Sequence, residues 1–123
     1  MATIKAFTDL QQSMKLAKIL PIESADMKIL PFTEREYRIV PINDIAVCGR
    51  EDEIYAWSLA ALLELLPKRL EIVDNVYELS VCFYGLYYWN INNGSLCFES
   101  KDKDNFVDAC CELIIKLKEL NLL

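Results

Sequence analysis

The segment VYELSVCFYGLYYWNINNGSLCFES, residues 76–100, decides the fold. Tyr77, Leu79, Val81 and Phe83 alternate with Glu78, Ser80, Cys82 and Tyr84, the two-residue period of a strand with one buried face. Gly85 then permits a reversal or a bulge. Residues 86–92 and 95–100 read as two more strands around Asn93-Gly94, a preferred type I′ turn pair because both residues tolerate positive φ. A two-residue loop there sets Trp89 opposite Phe98, Ile91 opposite Leu96 and Tyr88 opposite Glu99. One face then collects Trp89, Ile91, Leu96 and Phe98, and the other carries Tyr88, Asn90, Cys97 and Glu99. Tight turns between the best strands imply an antiparallel sheet, since parallel neighbours need long crossovers.

Helices flank this region. Residues 9–20 form the first, with Thr8 as N-cap, Gln11 completing a capping box and Leu10, Met14 and Ala17 as the apolar stripe. Pro21 stops it. Ser58 caps a second helix that is apolar nearly all round from Leu59 to Leu66, with Trp57 placed to staple onto Leu62. Asp104 caps the last helix, whose residues Phe106, Cys110, Leu113, Leu117 and Leu120 repeat at 4-3-4-3 spacing, widened by Ala109 and Ile114. This stripe is expected on the Trp89/Phe98 face, with Leu122 and Leu123 docked after it. Between the first two helices, residues 27–30 and 37–40 read as an edge hairpin because each run ends at a proline, Pro31 or Pro41. Residues 45–48 and 53–56 read as a second hairpin around Gly49-Arg50-Glu51-Asp52.

The expectation is one α+β domain over residues 1–123, an antiparallel sheet of about five strands packed by two to three helices, with the C-terminal helix on the sheet. With 54% apolar and 26% charged residues, three glycines and four prolines, the chain has the composition of an ordered globular domain with short loops.

Function is constrained mostly by exclusion. The chain has no histidine, which removes Ser-His-Asp and Cys-His nucleophilic sites, HExxH metal sites and mixed Cys/His zinc sites. Three separated glycines exclude GxGxxG and Walker loops. Cys48, Cys82, Cys97, Cys110 and Cys111 are odd in number and form no CxxC. They read as small buried apolar residues of a reducing cytosol, and neither a metal nor a cofactor is expected. Cys110 and Cys111 lie about a hundred degrees apart on a helix and do not bridge each other. The net charge of −6 and scattered arginines disfavour direct nucleic-acid binding. No apolar run approaches the ~18 residues needed to cross a bilayer, and residues 1–22 mix charged and polar residues unlike a secretory signal, so a cytoplasmic protein is expected.

Two groups remain as candidate sites. Tyr84 and Tyr88, with Glu99 on the same predicted face, form an aromatic row without basic neighbours, which suits a protein partner or self-association. Glu51, Asp52 and Glu53 share one predicted turn. They would support carboxylate chemistry only if one of them were desolvated in a pocket, and a solvated charge cluster is the ordinary reading.

Residues 7–13 (Phe7-Thr8-Asp9-Leu10-Gln11-Gln12-Ser13), 19–27, 57–67 and 107–114 together resemble a family of small uncharacterised proteins of gut bacteria, often encoded in prophage or mobile-element regions. The resemblance carries no catalytic residue or cofactor. It implies a bacterial or phage-associated cytosolic setting and an accessory role. Three hypotheses follow: a non-catalytic protein-interaction module, an acidic nucleic-acid mimic that inhibits a DNA-acting enzyme, and a small carboxylate-dependent enzyme using Glu51, Asp52 or Glu53. The first is preferred, so no catalytic residue is assigned.

Overall fold

In the computed structural model, residues 5–31, 37–42, 54–82, 85–100 and 105–123 are described. The helices are α1 (Leu10–Ala17), α2 (Leu59–Leu65) and α3 (Phe106–Glu119), with a 3-10 turn at Ile22–Ser24. Two antiparallel sheets accompany them. The first has the order β2 (Tyr37–Pro41), β1 (Met27–Pro31), β3 (Ile54–Ala56). The second is a meander of β4 (Arg69–Ile72), β5 (Asn75–Cys82), β6 (Gly85–Asn90) and β7 (Leu96–Cys97). The protein is of the α+β class, with its C-terminal helix packed on the second sheet.

The helix starts follow local chemistry. Asp9, not Thr8, caps α1: its carboxylate accepts from the Gln12 amide at 2.8 Å while the Gln12 side chain accepts from the Asp9 amide at 3.1 Å. The shift frees Thr8 for the core. Its Oγ1 accepts from the Trp57 amide at 3.1 Å and shares a hydrogen bond with Ser13 Oγ at 2.7 Å. The face of α1 moves with the cap. Ser13 and Leu16 are buried, whereas Met14, expected inside, is 53% exposed.

Ser58 caps α2 as expected, accepting from the Ala61 amide at 3.2 Å while its hydroxyl donates to Asp26. Trp57 and Leu62 are both fully buried. The rest of α2 is less enclosed than its composition suggests, since Leu59, Ala61, Leu63 and Leu65 are half-buried. Asn105 caps α3, accepting from the Val107 and Asp108 amides at 2.8 and 3.3 Å; the expected cap, Asp104, lies outside the described residues. The buried stripe of α3 is Val107, Ala109, Cys110, Cys111, Leu113, Ile114 and Leu117, while Phe106 and Leu120 at its ends are exposed. Asn121 takes a φ of +58° and lets the Leu122 amide bond back to the Leu117 carbonyl at 2.8 Å, so Leu122 and Leu123 pack against the core.

In the first sheet β1 is central rather than an edge strand. It pairs β2 along its whole length and β3 over Met27–Ile29. Among the described residues β3 pairs β1 no further than Ile29, so none of them asks Pro31 for an amide on that side, and Pro41 lies on the edge strand β2. Of the second expected hairpin, Ile54–Ala56 is a strand paired with β1, and residues 45–48 lie outside the described residues.

The second sheet contains a strand that the sequence reading omits. Residues 69–72 pair with β5 across a two-residue turn, Val73-Asp74, whose φ values of +44° and +64° have the sign of a type I′ turn. The β6–β7 hairpin is real, but its register is two residues from expectation, with Tyr88 opposite Cys97 and Trp89 opposite Leu96. Asn90 causes the shift. Its buried side-chain oxygen accepts from the Asn92 amide at 2.9 Å, and its backbone carbonyl accepts from the Gly94 amide at 2.8 Å. This holds a four-residue loop closed by Asn90 and Ser95 in place of a two-residue turn. Phe98, at φ +53°, then bulges, and the Ser100 amide rejoins the sheet at the Leu86 carbonyl, 2.9 Å away.

Candidate interaction face

The burial pattern of β6 inverts the expected faces. Leu86, Tyr88 and Asn90 are buried, while Tyr87 and Trp89 are half-buried. The core lies on the Tyr88 side, where Leu70, Leu86 and Tyr88 meet Cys110, Leu113, Ile114 and Leu117 of α3. Phe98 joins this side because its bulge swings the ring across. It meets Tyr88 edge-on at 6.5 Å, under the Lys116 ammonium at 5.7 Å.

Tyr88 is therefore not a surface residue. It is fully buried, and its hydroxyl donates to the Pro67 carbonyl at 2.6 Å. Burial pushes its phenol well above the ordinary range, helped by the neighbouring Cys110. Glu99 is exposed, and Tyr84 lies outside the described residues. The expected row of Tyr84, Tyr88 and Glu99 is thus not assembled by the described chain. Glu51, Asp52 and Glu53 also lie outside the described residues.

The opposite face of the second sheet lies outside the core cluster formed by the described residues. Strand alternation places Glu71 and Arg69 of β4, Val76, Glu78 and Ser80 of β5, Tyr87 and Trp89 of β6, and Leu96 of β7 on it. None of these belongs to the core cluster, and Leu96 is 55% exposed. Glu78, Trp89 and Leu96 lie in one cross-strand row, extended by Arg69, whose guanidinium donates to Glu78 at 2.8 Å. The residues of this surface sit one position away from those expected, Trp89 and Tyr87 in place of Tyr88.

Elsewhere the chemistry is structural. Burial pushes the Cys110 and Cys111 thiols up to about 12 and raises that of Cys97, which opposes formation of the nucleophilic thiolate. A shallow cleft of about 570 Å³ lies between α1 and α3, lined by Asp9, Gln12, Lys15, Asp108 and Glu112. At its rim Lys5 donates to Asp108 at 2.7 Å, Gln12 at 2.9 Å and Asp9 at 3.0 Å. Burial lowers the Lys5 pKa, but these carboxylates outweigh it and hold the ammonium above its ordinary value. The network ties the start of α1 to the start of α3. Among the described residues no group of three His, Cys, Asp or Glu side chains converges as a metal site, and no helix is long and apolar enough to cross a membrane.

Comparison with protein-family models, curated proteins and solved structures gave no match to this chain.

Proposed function

We propose that this chain is a non-catalytic accessory module that binds a basic protein through the outer face of its four-stranded sheet, in the cytoplasm of a bacterium carrying the phage or mobile element that encodes it. The observation that carries this reading is the row of Glu78, Trp89 and Leu96, flanked by Tyr87 and Val76, on a sheet face outside the core. Aromatic and apolar side chains so placed supply the centre of an interface, and acidic neighbours supply its rim. The net charge of −6 favours encounter with a positively charged partner. Nucleic-acid mimicry fits this face less well, because Arg69 stands between Glu71 and Glu78 and apolar residues interrupt the charges.

Affinity capture from a cognate bacterial lysate, comparing the wild-type chain with Trp89→Ser, tests the reading. One specific basic protein, retained by the wild type and lost with the folded variant, is the expected result. No specific partner, or a partner held equally by Trp89→Ser, overturns it.

A further inference from the structure

The strand missing from the sequence reading, β4, forms one edge of the second sheet. Its register with β5 fixes which backbone groups face outward. The Leu79 amide donates to the Lys68 carbonyl at 3.0 Å, which makes Lys68–Leu79 a hydrogen-bonded pair. Antiparallel pairs alternate, so Leu70–Tyr77 and Ile72–Asn75 are bonded pairs as well, and Arg69–Glu78 and Glu71–Val76 are not. The amides and carbonyls of Arg69 and Glu71 therefore point away from β5 along the free edge. Among the described residues nothing bonds to them. Arg69 and Glu71 also carry the exposed side chains of β4, while Leu70 is buried.

Natural edge strands use charge to repel a second strand. Here the two charges have opposite sign and stand two residues apart, which makes the edge complementary to itself. We propose that two copies of this chain join β4 to β4 antiparallel about a two-fold axis at Leu70, setting Arg69 of each copy opposite Glu71 of the other.

Charge selects this register. Pairing that keeps both outer faces on one side of a continuous sheet shifts in steps of two residues. Centring on Arg69 sets arginine against arginine, and centring on Glu71 sets glutamate against glutamate. Centring on Leu70 forms two opposite-charge pairs and four backbone hydrogen bonds, one donated by each outward amide. Arg69 keeps its contact with Glu78 of its own chain, because a guanidinium has five donors to share. The product is an eight-stranded sheet in which the two outer aromatic faces become one surface. The inference concerns self-association and stands whether or not that surface binds another protein.

A short edge joint of this kind is weak, so the purified protein should pass from monomer to dimer in sedimentation equilibrium between about 10 µM and about 1 mM. Glu71→Arg replaces both opposite-charge pairs by arginine–arginine contacts and should weaken the dimer roughly tenfold or more. Arg69→Glu makes both contacts glutamate–glutamate and should do the same. Mixed one to one, the two variants form a heterodimer with every contact complementary, and dimer should return. Amide hydrogen exchange of the wild type gives a readout free of mutation. The Arg69 and Glu71 amides should gain protection with rising concentration, while those of Leu70 and Ile72 are protected throughout. A wild type that stays monomeric, a dimer that survives either single variant, variants that do not recombine, or unchanged exchange at Arg69 and Glu71 overturns the proposal.

Discussion

The Tyr88 hydroxyl donates to the Pro67 carbonyl at 2.6 Å, fastening the centre of β6 to the chain just past α2. The ring below that hydroxyl is fully buried and meets Phe98 edge-on. One residue thus fills the core and satisfies a carbonyl where the chain leaves a helix for a strand. Tyr88→Phe keeps the ring and removes the donor, at an expected cost of about 1–2 kcal/mol. Tyr88→Ser also removes the ring and should cost about 3–5 kcal/mol. Trp89→Ser, one residue along but outside the core, should cost much less than Tyr88→Ser. Urea unfolding of the three variants tests the order, and near-equal losses at positions 88 and 89 would contradict the face assignment.

That face was hard to read because β6 is apolar on both sides, with Leu86 and Tyr88 on one and Tyr87 and Trp89 on the other. Alternation establishes that a strand exists there but not which side the helices cover. The decision comes from α3, whose stripe meets Leu86 and Tyr88, and from the bulge that brings Phe98 across. The register is hidden for a different reason. Asn93-Gly94 is a strong local turn signal, yet the Asn90 side chain binds the loop amides and overrides it. Helix starts were legible to within a residue or so because capping is local chemistry: Ser58 stands as expected, and Asp9 takes the role expected of Thr8. The edge strand β4 is not legible in the sequence because Val73-Asp74 is a poor match to the residues a two-residue hairpin turn prefers.

Alkaline pH should destabilise the fold through its buried thiols. Burial raises Cys110 and Cys111 from 9.0 to about 12, so both stay protonated in the native state after their unfolded counterparts ionise. The native state then binds more protons than the unfolded state, and stability must fall as pH rises. The contribution is whole below about pH 9 and is lost between about pH 9 and pH 12. Tyr88, also raised by burial, adds to the loss from its ordinary value of 10.0 upward. Urea midpoints measured across this range should decline, and Cys110→Ala/Cys111→Ala should show a flatter decline from a lower starting stability.

The tie between α1 and α3 should matter modestly. Asp108 accepts from Lys5 at 2.7 Å and also from the Gln12 side chain. Asp108→Asn leaves a hydrogen-bonding side chain but removes the charge. Because the Lys5 and Asp108 side chains are 22% and 28% exposed, water screens part of their attraction. The expected loss is about 0.5–1 kcal/mol, and the wild-type advantage should shrink in high salt. A loss independent of salt would assign the effect to packing instead.

Val73 offers the opposite case, a residue whose replacement should stabilise. It stands in the β4–β5 turn at φ +44° while 85% exposed. A β-branched side chain disfavours positive φ, and here its exposure leaves little burial to offset that cost. Asparagine tolerates this conformation and is preferred in type I′ turns. Val73→Asn should therefore raise stability by about 1 kcal/mol, which for a chain of this size moves the melting temperature up by about 4 °C. The gain should appear chiefly as slower exchange of the Ile72 and Asn75 amides, the pair that closes the turn. An unchanged or lower melting temperature would mean that Val73 makes a contact, in solution or across the β4 edge, that its exposure in the single chain conceals. Repeating the measurement at two protein concentrations separates those outcomes, because only a contact between copies makes the effect of the substitution depend on concentration.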